Sequence, residues 1–173
     1  YASTSRAAAE VLKMPWERVD IVTGRTDLHL PITSPQDGSN SIFTNTRTFY
    51  GAAQDMLAKM KEIASGDLGG TPEDYDISNE RVHQIADESV GMTFGQVAAR
   101  ALELGGKYTG SSDLPEELAE WTQISVSRLA GTAFMGVFHD PRHEGNPPGF
   151  TVSCIEIELD TETGKYEILD LIN

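Results

Sequence analysis

Cysteine is nearly absent: Cys154 is the only one in 173 residues. One thiol builds neither a disulfide framework nor an all-cysteine metal cluster, and the expectation is a reducing, cytoplasmic setting. Positive charge is also scarce. Thirteen Lys and Arg stand against 27 Asp and Glu, for a formal net charge of −14. No basic patch stands out, which excludes a nucleic-acid surface. No apolar run approaches the roughly 18 residues of a membrane span, and no secretory leader pattern is present. Neither a Walker loop nor a Gly-x-Ser-x-Gly elbow occurs. An initiator methionine is missing too, and Tyr1 already stands in the approach to a helix. The expectation is one fragment, residues 1–173, of a larger polypeptide.

What is present is an ordinary globular composition, 39% hydrophobic, with enough chain for a real core. Residues 5–14 read as a helix with Ala7, Ala8, Val11 and Leu12 on one face and Ser3 or Thr4 as cap, stopped by Pro15. Residues 19–23 alternate as a short strand. An irregular region over about 24–45 leads into the most periodic helix, from about Thr46 to Ser65. There Phe49, Ala52, Ala53, Met56, Leu57, Met60, Ile63 and Ala64 recur at three- and four-residue spacing. Gly66, Gly69 and Gly70 end it.

Residues 75–78 and 81–85 form a hairpin by pattern. Thr93 caps a helix over 94–104, and Gly105-Gly106 closes it. Residues 107–120 read as loop with a helical turn at 116–120, and residues 122–128 and 131–138 as strands. A second irregular loop covers 139–149. The clearest strand is 150–159: Ile155, Ile157 and Leu159 point one way, Glu156 and Glu158 the other. It turns at 160–164 to pair with 165–171. Helices interleaved with mostly antiparallel hairpins define an α+β fold.

Few residues carry chemistry. His139 and His143 are four apart, but Pro141 between them denies a helical metal-binding face, and no metal site is expected. Cys154, in an alternating strand, reads as a small buried hydrophobe. The stretch Asp37-Gly38-Ser39-Asn40-Ser41-Ile42-Phe43-Thr44-Asn45-Thr46-Arg47 is different. Gly38 permits tight backbone, while Ser39, Ser41, Thr44 and Thr46 supply hydroxyls. A helix start adds unpaired N–H groups, a place where a phosphate can rest. An ordinary capped loop has the same composition.

The order of motifs adds a resemblance. Arg6-Ala7-Ala8-Ala9-Glu10-Val11-Leu12 is followed by Pro15-Trp16-Glu17-Arg18-Val19 and by Gly24-Arg25-Thr26-Asp27. Then come Tyr50-Gly51-Ala52-Ala53, Pro72-Glu73-Asp74, Asn79-Glu80-Arg81-Val82, and a run from Cys154 to Gly164. The series resembles the molybdenum-cofactor-binding region of the xanthine dehydrogenase/aldehyde oxidase family. It covers most of the chain and is weakest over 107–149.

The resemblance implies part of the large subunit of a molybdopterin-dependent hydroxylase of aldehydes or N-heterocycles. Its cofactor would be a molybdenum pyranopterin, with iron–sulfur and FAD centres on partner domains or subunits. The remaining parts of the same subunit would be its partners, and a homo-oligomer stays open. By position, Gly38, Ser39, Ser41, Thr44 and Thr46 would contact the cofactor, and Arg47, where the family tends toward small residues, would either help to hold the anion or block it. Phe43 and Asn45 would offer backbone N–H groups, and Cys154 would line the pocket. The family's Gly-Asp-Thr-Asp reads Gly24-Arg25-Thr26-Asp27 here, a base replacing the first acid. The family's Gly-Gln-Gly and catalytic-glutamate segments are not in this chain, so no residue in it is expected to be catalytic. The alternative is a non-catalytic assembly module that retains the fold.

Overall fold

The longest apolar stripe becomes the longest helix. In the computed structural model, which describes residues 2–22, 25, 27, 40–111, 120–138 and 153–172, helix α2 spans Asn40–Leu68. Ala53, Met60, Ile63 and Ala64 are its buried apolar face. The helix begins six residues before the expected Thr46. The hydroxyl-rich stretch that suggests a loop is accommodated inside it: Thr48 Oγ1 donates to the Thr44 carbonyl at 2.9 Å, a bond that satisfies a threonine without leaving the helix. At the other end Gly66 stays helical, and Gly69 turns the chain with φ of 90°.

Helix α1, Ala2–Val11, packs along α2. It starts and ends three residues earlier than the sequence pattern suggests, so Thr4 is inside the helix and not a cap. Its buried residues are Thr4, Ser5 and Ala9, a face rotated toward small side chains. The Lys13 and Met14 amides bond back to the Glu10 and Ala9 carbonyls, with Lys13 at φ 47° in the left-handed closing position. Trp16 reaches back to donate its indole N–H to buried Ser5 Oγ at 3.1 Å. Residues 19–22, expected as strand, have no regular structure and pair with no strand among the described residues; Thr23 lies outside them.

Three short strands follow: β1 (Tyr75–Ser78), β2 (Arg81–Gln84) and β3 (Gly91–Thr93), antiparallel in the order β1-β2-β3. The expected hairpin is present, turning on Asn79 and Glu80, both at positive φ; β3 is additional. Tyr75, Ile77 and Val82 face inward and join Met60, Ile63 and Ala64 of α2 with Val97 and Ala101 of helix α3 (Phe94–Leu104) in one core. Thr93 caps α3 as expected: the Gln96 amide donates to its hydroxyl at 3.2 Å, and Gly105 ends the helix at φ 62°.

Two expected strands are corrected. Residues 122–128 belong to helix α4, Glu120–Leu129. Their β-branched alternation looks like a strand, but Ser125 and Val126 are the buried residues. A small serine on the inner face hid the helical period, while Glu120 in the first turn and Arg128 in the last complement the helix dipole. Residues 131–138 run without strand pairing. The Gly131 and Met135 amides donate to the carbonyls of Thr109 and Tyr108, in the 3-10 turn Gly106–Thr109.

Contacts divide the chain into two units, 1–143 and 144–173. In the second, β4 (Cys154–Leu159) pairs antiparallel with β5 (Tyr166–Ile172); of the expected strand 150–159, residues 150–152 lie outside the described residues and Ser153 is not in strand. Ile155, Ile157 and Leu159 stand opposite Leu171, Ile168 and Tyr166, and all are exposed. Helices with antiparallel sheets make the fold α+β, as read from the sequence. Among the described residues no helix is long and apolar enough to cross a membrane.

Candidate functional site

The sequence directs attention to the N-terminal half of α2. Residues 38–54 contain no aspartate or glutamate and one charge, Arg47, in a chain whose net charge is −14. The structure gathers Ser41, Phe43, Thr44, Asn45, Thr46 and Arg47 onto one helix. Asn45 is 8% exposed and the others are half-buried. Ser41, Thr44, Asn45 and Thr48 recur at helical spacing and form a polar stripe. Beside it the Arg47 guanidinium lies 5.1 Å from the centre of the Phe43 ring, a cation held over an aromatic face.

Early helix entry changes what the backbone offers. In a helix beginning at Asn40 the first-turn amides have no partner within the helix itself. The Asn45 amide stands inside the i→i−4 ladder and the Phe43 amide at its edge. Neither amide stands at a loop position, as the sequence reading expected of Phe43 and Asn45. Gly38 and Ser39 lie outside the described residues. Cys154 belongs to the second unit and is exposed there, not buried as expected of a mid-strand cysteine.

The base in the Gly24-Arg25-Thr26-Asp27 run is neutralised locally. Arg25 Nε and Nη2 donate to the two Asp27 carboxylate oxygens at 2.9 and 2.7 Å. That carboxylate raises the guanidinium pKa above its usual value. The exchanged charge of the motif is thus paired within the motif.

Other candidates resolve as structural. His83 is buried, with Nε2 2.9 Å from Ser78 Oγ and Nδ1 3.1 Å from the Gln84 carbonyl. A carbonyl only accepts, so Nδ1 donates to Gln84, and with Nε2 against Ser78 Oγ neither nitrogen is left for a metal. His29, His139 and His143 lie outside the described residues, and among those described no cluster of three metal-ligating side chains occurs. An open cleft of about 710 Å³ lies between the end of α1 and the β1–β2 turn. Its cations are already paired, Lys13 with Asp76 and Arg18 with Glu80, each at 2.8 Å. It shares no residue with the α2 set.

Sequence reasoning missed Asp55 and Lys59. Lys59 lies on the inner face of α2 with its side chain 7% exposed, 2.7 Å from Asp55. A lysine in step with Met56, Met60 and Ile63 was the available signal.

The family model of the molybdopterin cofactor-binding domain matches residues 1–173, and the chain belongs to that family. The domain binds the molybdopterin cofactor and is part of a molybdopterin-dependent oxidoreductase. No curated protein matches the chain.

Proposed function

We propose that this chain is part of the large subunit of a molybdenum hydroxylase of the xanthine dehydrogenase/aldehyde oxidase type, acting in the cytoplasm on aldehydes or N-heterocycles. Iron–sulfur and FAD centres sit on partner domains or subunits. The acid-free stretch 38–54 is the observation that supports it. In kind, its donors suit a phosphate-bearing pterin: hydroxyls, one buried side-chain amide, first-turn N–H groups and a guanidinium, with no carboxylate in the stretch itself. Ser41, Thr44, Asn45, Thr46 and Arg47 would hold the cofactor, with Gly38 and Ser39 preceding them. When bound, the molybdenum centre supplies the redox chemistry. This chain's residues bind and orient it, and none acts as acid, base or nucleophile.

The test is metal and pterin analysis of the intact parent protein, purified from a host that makes the cofactor. Stoichiometric molybdenum and pterin are expected; absence of both overturns the reading. In the same protein, Thr44→Val with Thr46→Val removes two hydroxyl donors, each worth about 1.5–3 kcal/mol toward a charged acceptor. Cofactor retention after dialysis is expected to fall. Full retention in the double variant would leave these threonines as helix residues only.

A further inference from the structure

Residues 134–138 form no strand, yet their backbone is fastened to α2 at several points. The Val137 amide donates to Asp55 Oδ2 at 2.7 Å, and the Met135 carbonyl accepts from Lys59 Nζ at 3.4 Å. Lys59 also donates to Asp55 Oδ2 at 2.7 Å. A buried ammonium without its counter-charge is heavily penalised, so Asp55 serves both the segment and the lysine. The crossing is close enough to require glycine on both sides. A Cβ on Gly136 would stand 2.0 Å from the Ala52 carbonyl oxygen, and one on Gly51 would stand 2.3 Å from the Phe138 ring. These contacts cover Gly51 to Lys59. One turn further toward the helix start lies Arg47.

We propose that residues 134–138 are a strap, locked by Asp55 and Lys59, that holds the acid-free end of α2 where cofactor contact requires it. Asp55 and Phe138 are then positioning residues. The inference rests on the cofactor reading of α2 given above.

The experiment uses the intact parent enzyme and three readouts: molybdenum and pterin per subunit, hydrogen exchange at the Val137 amide, and the thermal midpoint. Asp55→Ala removes the acceptor and strands Lys59. Phe138→Ala loosens the strap without touching a buried charge, and is the informative variant if Asp55→Ala fails to fold. In both, Val137 exchange is expected to rise roughly tenfold or more, with cofactor content falling in parallel. Asp55→Asn with Lys59→Met keeps an acceptor for Val137 and removes both charges, and is expected to keep the cofactor. Val97→Ala, in the core on α3, is expected to lower the midpoint while leaving Val137 exchange and cofactor content unchanged. Fast Val137 exchange with full cofactor, or unchanged exchange in Phe138→Ala, overturns the strap alone. Equal cofactor loss in Val97→Ala at a matched midpoint does the same. A parent enzyme that carries neither molybdenum nor pterin overturns the cofactor reading as well.

Discussion

The ribbon β1–β2–β3 and the hairpin β4–β5 are both antiparallel, and both alternate apolar with polar residues, but their faces meet different surroundings. In the ribbon, Tyr75, Ile77 and Val82 are at most 1% exposed, against side chains of α2 and α3. In the hairpin, the equivalent apolar face of Ile155, Ile157, Leu159, Tyr166, Ile168 and Leu171 is about half or more exposed throughout. Its other face sets Glu156 opposite Asp170 and Glu158 opposite Glu167, like charges that weaken a ladder. A register shift at Glu156/Ile157 leaves Leu169 without a partner. Alternation therefore encodes two chemically distinct faces. Which of them is buried is not encoded by the alternation itself, and a two-stranded hairpin taken by itself is marginal in water.

The largest expected contrast follows directly. Ile77→Ala should cost about 2–5 kcal/mol, the range for truncating a fully buried isoleucine. Ile157→Ala should cost under about 1 kcal/mol, the scale of one cross-strand pair. Urea unfolding of the 173-residue chain, followed separately by probes in each unit, measures both. An Ile157→Ala loss as large as that of Ile77→Ala would break the comparison, because the two side chains would then contribute alike.

The same contrast explains what the sequence could and could not show. The α2 stripe, the Thr93 cap, the Asn79-Glu80 turn and the β4–β5 pairing all follow from local rules: periodicity, hydroxyl caps and turn chemistry. The start of α2 did not, because Ser, Thr and Asn at 40–48 suit a loop by composition and a helix only once the Thr48–Thr44 bond forms. Helix α4 was hidden by buried Ser125, a polar letter on an apolar face. The Asp55–Lys59 lock joins residues about 80 positions apart through Val137, and no local pattern encodes such a contact. Of the candidate site, the residue types and the absence of acid were legible. Which backbone amides remain free was not, since that depends on where the helix begins.

A second test sharpens the ribbon's side of the comparison. Tyr75 is fully buried, donates its hydroxyl proton to the Gly69 carbonyl at 2.6 Å and accepts from Gln84 Nε2 at 3.1 Å. Tyr75→Phe keeps the ring and removes both bonds, leaving the carbonyl of exposed Gly69 and the side-chain amide of half-buried Gln84 to find other partners. The expected loss is about 1–3 kcal/mol in urea unfolding. A loss below about 0.5 kcal/mol would mean that water reaches this corner of the core and supplies the missing bonds.

The smallest effect separates the two ribbons by pH and salt. Asp76 on β1 has its pKa lowered chiefly by the hydrogen bond from Lys13, which follows α1. Asp160 in the β4–β5 turn has its pKa lowered by Thr163, through hydroxyl and amide, and by the Glu162 amide. Both carboxylates bind protons less readily folded than unfolded. Each stabilises its element above the ordinary carboxylate range near pH 4, and that contribution is lost as pH falls through the lowered folded value. The Lys13–Asp76 pair is exposed and worth about 0.2–1 kcal/mol at most. It joins two elements by charge, so about 0.5 M salt should screen it and Lys13→Met should abolish it. The Asp160 bonds are local to one turn, and neither change should touch them. Acid titration of both carboxylates by NMR, with and without salt, reads the difference. Equal salt sensitivity would show that the turn aspartate also answers to a charge outside its own turn.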